Sequence, residues 1–258
     1  MSQEQHIREI KDDGYTLLPN VLTENECKLI SNKLDEISQL EIKEFGEDYL
    51  KQNYEWGTLR ALISRDNYFE KTIVNNLAYD LVSLILGDTS ILYLQNGIII
   101  FPDSDHRQAR FHRDFDKKFT TNFPLSINCF WIIDDFDEST GGTWVVPKTH
   151  ETPWPKEKFL SDNAIQIKAH KGSVLVFDSR LIHKGGKNIS DKPRRAINHQ
   201  YVLPFIKQQI DFPSLLNGKY NINSKIAQVL GFWSVPPKTV DQFRIKDPNQ
   251  RSYRPGQG

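Results

Sequence analysis

The stretch Gly172-Ser173-Val174-Leu175-Val176-Phe177-Asp178-Ser179-Arg180-Leu181-Ile182-His183 decides the fold, read together with Arg194-Arg195-Ala196-Ile197-Asn198-His199-Gln200-Tyr201-Val202-Leu203. Residues 173–177 and 194–203 are of strand length and rich in β-branched and aromatic side chains. Gly185, Gly186 and Pro193 break the chain between them. The short run Leu181-Ile182 ends a further strand candidate on His183. Working outward, residues 91–101, 126–133, 143–146 and 165–169 repeat the pattern, separated by Gly, Pro, Asp and Asn clusters. Many short, closely spaced strands argue for a sandwich or barrel over a parallel α/β sheet.

The flanks read differently. Residues 1–13 suggest a short polar helix, and 14–19 a strand ended by Pro19. Thr23 with Glu26 is a capping-box signature, continued at helical spacing by Ile30, Leu34, Ile37 and Leu40. Ile73, Leu77, Leu81 and Ile85 suggest a second helix stopped by Gly87. The charged, aromatic segment 41–65 between them is expected to be an irregular loop or lid, with Phe45, Tyr54 and Trp56 covering an organic substrate. A helical patch covers 222–230, and a polar, proline-containing arm covers 236–258. The expectation is one domain: a mostly helical flank over 1–90, a β-core over 91–205, and a C-terminal helix and arm over 206–258.

Composition narrows the function classes. The 258 residues carry 33 Lys plus Arg against 33 Asp plus Glu, so net charge gives no reason to invoke nucleic acid or an anionic membrane. Lys117-Lys118 and Arg194-Arg195 are local features only. No run approaches the ~18 apolar residues of a membrane span. The polar start has no apolar secretory core. Cys27 and Cys129 sit in helical and strand patterns and read as small buried hydrophobes. Two such cysteines make no disulfide framework, which fits a reducing compartment, and a cytoplasmic location is expected.

The chemistry is carried by Phe111-His112-Arg113-Asp114 and His183. On an extended strand, residues i and i+2 share a face, so His112 and Asp114 point the same way. His183 follows sixty-nine residues beyond Asp114. Two imidazoles and a carboxylate form the facial triad of non-haem Fe(II) oxygenases, leaving positions for a bidentate 2-oxo acid and O₂. His-x-Asp alone is weak. An arginine opening the strand after His183 strengthens it, because a guanidinium binds a carboxylate bidentately, as anchoring 2-oxoglutarate requires.

At these residues the chain resembles the phytanoyl-CoA dioxygenase family, from about residue 14 to 203. The resemblance is carried by Asp13-Gly14-Tyr15, His112-x-Asp114, Gly141-Gly142-Thr143-Trp144-Val145-Val146-Pro147-x-Thr149-His150, Gly172 to Phe177, and His183 followed by Asn188, Ser190 and Arg194. It implies a mainly β fold, a double-stranded β-helix (a cupin-like jelly roll) with helices packed outside. It implies that His112, Asp114 and His183 bind Fe(II), and that decarboxylation of 2-oxoglutarate to succinate and CO₂ is coupled to oxidation by O₂. In the family the anchoring arginine lies eleven residues after the second histidine, which favours Arg194 over Arg195. Strand alternation alone cannot choose between the two.

The same resemblance nominates Gln95 near the cosubstrate, with Asn96 on the opposite face, and Trp131 near the iron. Asn128 and Thr143 are candidates to face the 2-oxoglutarate pocket. Lys148 departs from the family, which has Gly before the Thr-His pair. Related halogenases have a small residue where Asp114 stands, so the carboxylate favours hydroxylation. His150 reads as structural, His106 and His170 as loop residues, and His199 as a strand residue outside the metal set. Arg107, Arg110 and Arg113 would favour an anionic small-molecule substrate if they crowd the mouth. Desaturation or cyclisation is the variant outcome, and a non-catalytic cupin-like metal or small-molecule binding protein is the rival class. The assembly is expected to be a monomer or homodimer.

Overall fold

The computed structural model describes residues 1–74, 76–104, 108–115 and 121–247. Among these residues nine strands run in chain order: β1 (Tyr15–Leu18), β2 (Thr58–Arg60), β3 (Ile91–Ile100), β4 (Ser126–Ile132), β5 (Trp144–Val146), β6 (Ile165–Gln166), β7 (Val174–Asp178), β8 (Ile182–Lys184) and β9 (Arg194–Val202). The helices are α1 (Gln3–Asp13), α2 (Glu24–Phe45), α3 (Glu47–Gln52), α4 (Leu62–Arg65), α5 (Leu77–Leu86), α6 (Glu157–Asn163), α7 (Phe212–Leu215), α8 (Lys225–Val229) and α9 (Val240–Phe243). A 3-10 helix, Asn67–Thr72, precedes α5.

The strands form two antiparallel sheets. The larger has the order β1-β7-β4-β9-β3-β2, and the smaller β6-β5-β8. A bridge between His112 and His183 continues the small sheet beyond β8. This is a cupin-like jelly roll, with helices flanking the core. One face of the large sheet packs on helices: Cys129 and Trp131 of β4, Ile197 and Tyr201 of β9, and Ile99 of β3 join Ile30 and Leu34 of α2 and Leu81 of α5. The opposite face encloses the interior, where Phe130 and Ile132, Ala196, and Ile98 and Ile100 pack on Val145 of the small sheet. Alternation along each strand thus sorts the residues into an outer, helix-covered set and an inner set.

Local chemistry explains the main elements. Ser2 and Thr23 cap α1 and α2 with reciprocal Gln5 and Glu26 boxes. Cys27, Ile30, Leu34 and Ile37 are buried on one face of α2, whereas Leu40 is 58% exposed and lies off that stripe. Asn76 caps α5 and Gly87 ends it, so Ile73 lies before this helix rather than in it.

Three expectations are corrected. Segment 41–65 is not irregular: α2 runs through Phe45, and α3, β2 and α4 follow. Here β2 pairs with the β3 edge, so the segment closes the large sheet. The 165–169 strand is shorter, reduced to β6 plus a bridge between Ala169 and Phe136. The 236–258 arm contains α9, and its residues 248–258 lie outside the described ones. No helix among the described residues is long and apolar enough to cross a membrane. Cys27 and Cys129 are buried free thiols, as their patterns suggested.

Candidate metal centre

His112 enters the site from the bridge to His183, where each backbone N–H donates to the other's carbonyl at 2.9 and 3.0 Å. The two rings lie 4.3 Å apart. His112 Nδ1 bonds the Arg110 carbonyl at 2.8 Å, and His183 Nδ1 bonds the Leu181 carbonyl at 3.0 Å. Carbonyls only accept, so each Nδ1 carries the ring proton and each Nε2 keeps its lone pair. The Asp114 backbone N–H donates to the Ser179 carbonyl at 3.1 Å. Asp114 Oδ1 then stands 4.0 Å from His112 Nε2 and 3.9 Å from His183 Nε2. Ligand atoms from the three residues lie within 4.8 Å of one another, and no other such cluster occurs among the described residues.

This donor set fits a divalent metal. His112 Nε2 is buried and has no hydrogen-bond partner. Burial and the nearby His183 pull the His112 imidazole down to about 4, against the opposing pull of Asp114. It is therefore neutral at physiological pH, as a metal ligand must be. Asn128 Nδ2 donates to Asp114 Oδ2 at 2.7 Å and to Ser179 Oγ at 2.7 Å, which steadies the carboxylate from behind. Gln200 and Ser126 extend the network to Ser179.

Asp114, His183, Thr143, Asn198 and Arg194 line one narrow cavity of about 20 Å³. Arg194 is 1% exposed. Its Nη2 donates to the Gly141 carbonyl at 2.9 Å, while Nε and Nη1 are buried and unpartnered. Its guanidinium lies 4.5 Å over the Phe136 ring. Burial lowers it to about 10, with Asp134 opposing, so it stays cationic at neutral pH. Gly141, at φ +78°, packs against the 186–187 backbone, where a Cβ would lie 2.7 Å from the Gly186 carbonyl oxygen. Arg195 points to the outer face and is committed there, to Asp35 at 2.7 and 2.8 Å and to Asp134 at 2.9 Å.

Other sequence candidates fall in different places. Gln95 is not in the site. Its Oε1 accepts from the Ile63 N–H at 2.7 Å, and its Nε2 lies 3.1 Å from His199 Nε2 on the outer face. Trp131 is likewise outside, donating from Nε1 to His199 Nδ1 at 3.2 Å within the helix-covered core. Thr143 does line the inner cavity. Arg113 lines the cleft above the triad, but its Nη2 is committed to the Thr149 and Thr152 carbonyls. Arg110 lines the cleft above the triad, while His106 and Arg107 lie outside the described residues. His150 bonds the Lys11 carbonyl at 3.0 Å, which ties the Thr-His turn to α1. Tyr54 lines the cleft, Phe45 lines a neighbouring cavity, and Trp56 stacks on Phe101 at 4.9 Å.

Sequence reasoning missed Asn198, whose buried Oδ1 has no partner and which lines both cavity and cleft. Its spacing of four from Arg194 on one strand was the available signal. The cleft of about 400 Å³ above the triad is mostly polar, with Tyr54, Asn96, Gln108, Asn198 and Gln200 among its walls.

A family model described as phytanoyl-CoA dioxygenase (PhyH) matches residues 10–196. An uncharacterized protein of Mycobacterium tuberculosis is 33% identical over 253 residues, covering 95% of this chain and 92% of that one. The dioxygenase af480 of Aspergillus fumigatus is 23% identical over 199 residues, covering 74% of this chain and 64% of that one. Among solved structures, HygX from Streptomyces hygroscopicus with nickel and 2-oxoglutarate bound has a TM-score of 0.64 at 13% identity, covering 83% of this chain and 91% of that one. The non-heme alpha ketoglutarate dependent epimerase SnoN from nogalamycin biosynthesis gives 0.61 at 15% identity, covering 78% and 80%.

Proposed function

Because this chain belongs to the phytanoyl-CoA dioxygenase family, we propose that it is an Fe(II)- and 2-oxoglutarate-dependent dioxygenase that hydroxylates a polar small molecule. The observation that carries this reading is the inner cavity, which runs between the His112-Asp114-His183 cluster and an incompletely paired buried guanidinium. A fully buried cation with two unpartnered N–H groups is costly to fold unless an anion completes it. A dicarboxylate that also reaches the metal meets both demands.

Here His112, Asp114 and His183 would hold the iron. Bound together, iron and 2-oxoglutarate supply the oxidising power for O₂ chemistry, with release of succinate and CO₂. The chain's own residues do the rest. The Arg110 and Leu181 carbonyls fix the imidazole tautomers, and Asn128 fixes the carboxylate rotamer. Arg194 would bind the far carboxylate of 2-oxoglutarate, held in place by Gly141 and the Phe136 ring. Thr143 and Asn198 would line the cosubstrate's flanks. Asp114 occupies the position that halogenases keep small, which favours hydroxylation.

The cleft above the triad sets the substrate class. Its polar walls suit a molecule rich in hydrogen-bonding groups better than a bare acyl chain. The reading is tested by succinate formation from 2-oxoglutarate with added Fe(II), across a panel of polar metabolites. Iron-dependent succinate, increased by at least one of them, is expected. Absence of any iron-dependent succinate overturns the proposal.

A further inference from the structure

Beside the metal cleft lies a second cavity, of about 730 Å³. The two share Thr58 and Arg60 of β2. Two pairs of chain neighbours are divided between them: Tyr54 and Gln209 line the metal cleft, and Glu55 and Ile210 line the second cavity. The Arg60–Glu55 ion pair, at 2.6 and 2.8 Å, stands where the two spaces meet. The cavities are therefore adjacent, divided by Arg60, whose Nη1 also donates to Gln209 at 3.1 Å, and their linings differ. Phe45, Tyr49, Leu50, Leu215 and Leu216 give the second one apolar walls. Phe45, Tyr49 and Leu215 keep 46, 54 and 47% of their surface exposed, an apolar rim that no part of the described chain covers.

Within these walls lies Glu41, on the buried face of α2 and only 8% exposed. Its carboxylate makes no hydrogen bond or ion pair among the described residues. The cations around it are already engaged. Arg60 is paired with Glu55, Arg65 of α4 with Glu44 at 3.4 Å, and Lys219 donates to the Ile63 carbonyl at 2.8 Å. Burial holds the Glu41 carboxyl up at about 7, with Glu55 and Glu44 adding to the rise and Arg65 and Arg60 opposing it. A buried carboxylate without a donor is unfavourable, and a cation brought into the same pocket offsets its desolvation.

We propose that this cavity is a distal subsite of the metal cleft, and that it takes an apolar arm ending in a protonated amine, whose N–H donates to Glu41. The apolar walls would hold the arm, with Phe45 and Tyr49 as aromatic neighbours for the cation. The amine site does not depend on iron. Calling its ligand part of the substrate rests on the oxygenase reading above.

The test begins with binding of 4-phenylbutylamine to the full chain at pH 8 without added metal, measured by calorimetry. The amine is expected to bind on the order of tenfold more tightly than 4-phenylbutanol or 4-phenylbutanoate, the gain of a charge-assisted hydrogen bond. Glu41→Gln should erase that preference and leave the alcohol unaffected. Leu216→Trp, which fills the cavity, should weaken all three. Because Glu41→Gln removes a buried charge, it is expected to unfold at no lower temperature than the parent, which guards against misreading a folding defect. An amine preference that survives Glu41→Gln, or equal binding of amine and carboxylate, overturns the site. In the succinate assay, primary amines carrying an apolar arm should stimulate more than their N-acetylated counterparts in the parent protein but not in Glu41→Gln. Equal stimulation overturns the link to the metal cleft. Absence of iron-dependent succinate in the parent would instead count against the oxygenase reading, and the binding data would stand apart from it.

Discussion

Asn128 Nδ2 donates to Asp114 Oδ2 at 2.7 Å, which leaves Oδ1 as the carboxylate atom facing His112 and His183. Asn128 is fully buried on β4, and its Nδ2 also donates to Ser179 Oγ. The rotamer of the Asp114 carboxylate is thus set by a side chain outside the proposed ligand set. Asn128→Ala is expected to weaken Fe(II) binding by roughly 10- to 100-fold, the usual effect of removing such a partner. Anaerobic metal titration of the variant checks this. Unchanged affinity would show that the carboxylate holds its rotamer unaided.

The two adjacent arginines should behave differently. Arg194→Ala is expected to raise the 2-oxoglutarate KM by roughly 100-fold, through the loss of charged hydrogen bonds. Arg195→Ala should leave that KM near its original value and lower stability instead. It breaks pairs to Asp35 and Asp134 together worth about 1–3 kcal/mol. Steady-state kinetics and denaturant unfolding of both variants separate the outcomes, and the reverse order would move the anchor to Arg195.

Acid should destabilise the protein through His199. The ring is fully buried, and burial pulls it down to about 3 from 6.5. Trp131 donates to its Nδ1, so protonation would set a second N–H against an existing one. A base depressed in the folded state contributes stability above pH 6.5 and loses it as pH falls toward 3. The expected loss approaches ~1.4 kcal/mol per pH unit within that window. His199→Gln should flatten the slope in urea melts between pH 6.5 and 4. An unchanged slope would assign the acid sensitivity elsewhere.

Lys148 holds φ at +65°, in the left-handed region where the family has glycine. Its backbone N–H donates to the Asp13 carbonyl at 2.9 Å, so the turn is fixed by α1 and cannot relax. Lys148→Gly should therefore stabilise the protein by about 1 kcal/mol, the cost of that conformation for an L side chain. The exposed ion pair to Asp13, lost in the exchange, contributes little. Chemical denaturation reads the difference, and a destabilised variant would contradict it.

A strand-rich sandwich or barrel was legible because the strands are apolar runs bounded by turn residues, whereas the jelly roll itself and the weight given to His112, Asp114 and His183 came from the family resemblance. The phase of each strand was less legible. On β3, Leu92 faces outward opposite Tyr201, and simple alternation from it would turn Gln95 inward. A bulge at Tyr93 reverses the phase, so Gln95 faces His199 outside and Asn96 faces the cleft. Trp131 fails for a related reason. Its neighbours Phe130 and Ile132 hold the inner face, which sends Trp131 to the helices. Segment 41–65 hid its order because β2 is too short for alternation to show. Its strand state comes from pairing with β3 rather than from local propensity. Asn198 and Glu41 matter through the spaces they line, and sequence does not display cavities.

The most direct test is anaerobic calorimetry of 2-oxoglutarate binding, with and without Fe(II), in the parent and in His183→Ala. The account predicts saturable binding that is strong only when iron is present and is lost in His183→Ala. It would be contradicted by absence of 2-oxoglutarate binding with iron present, or by binding that neither iron nor His183 affects.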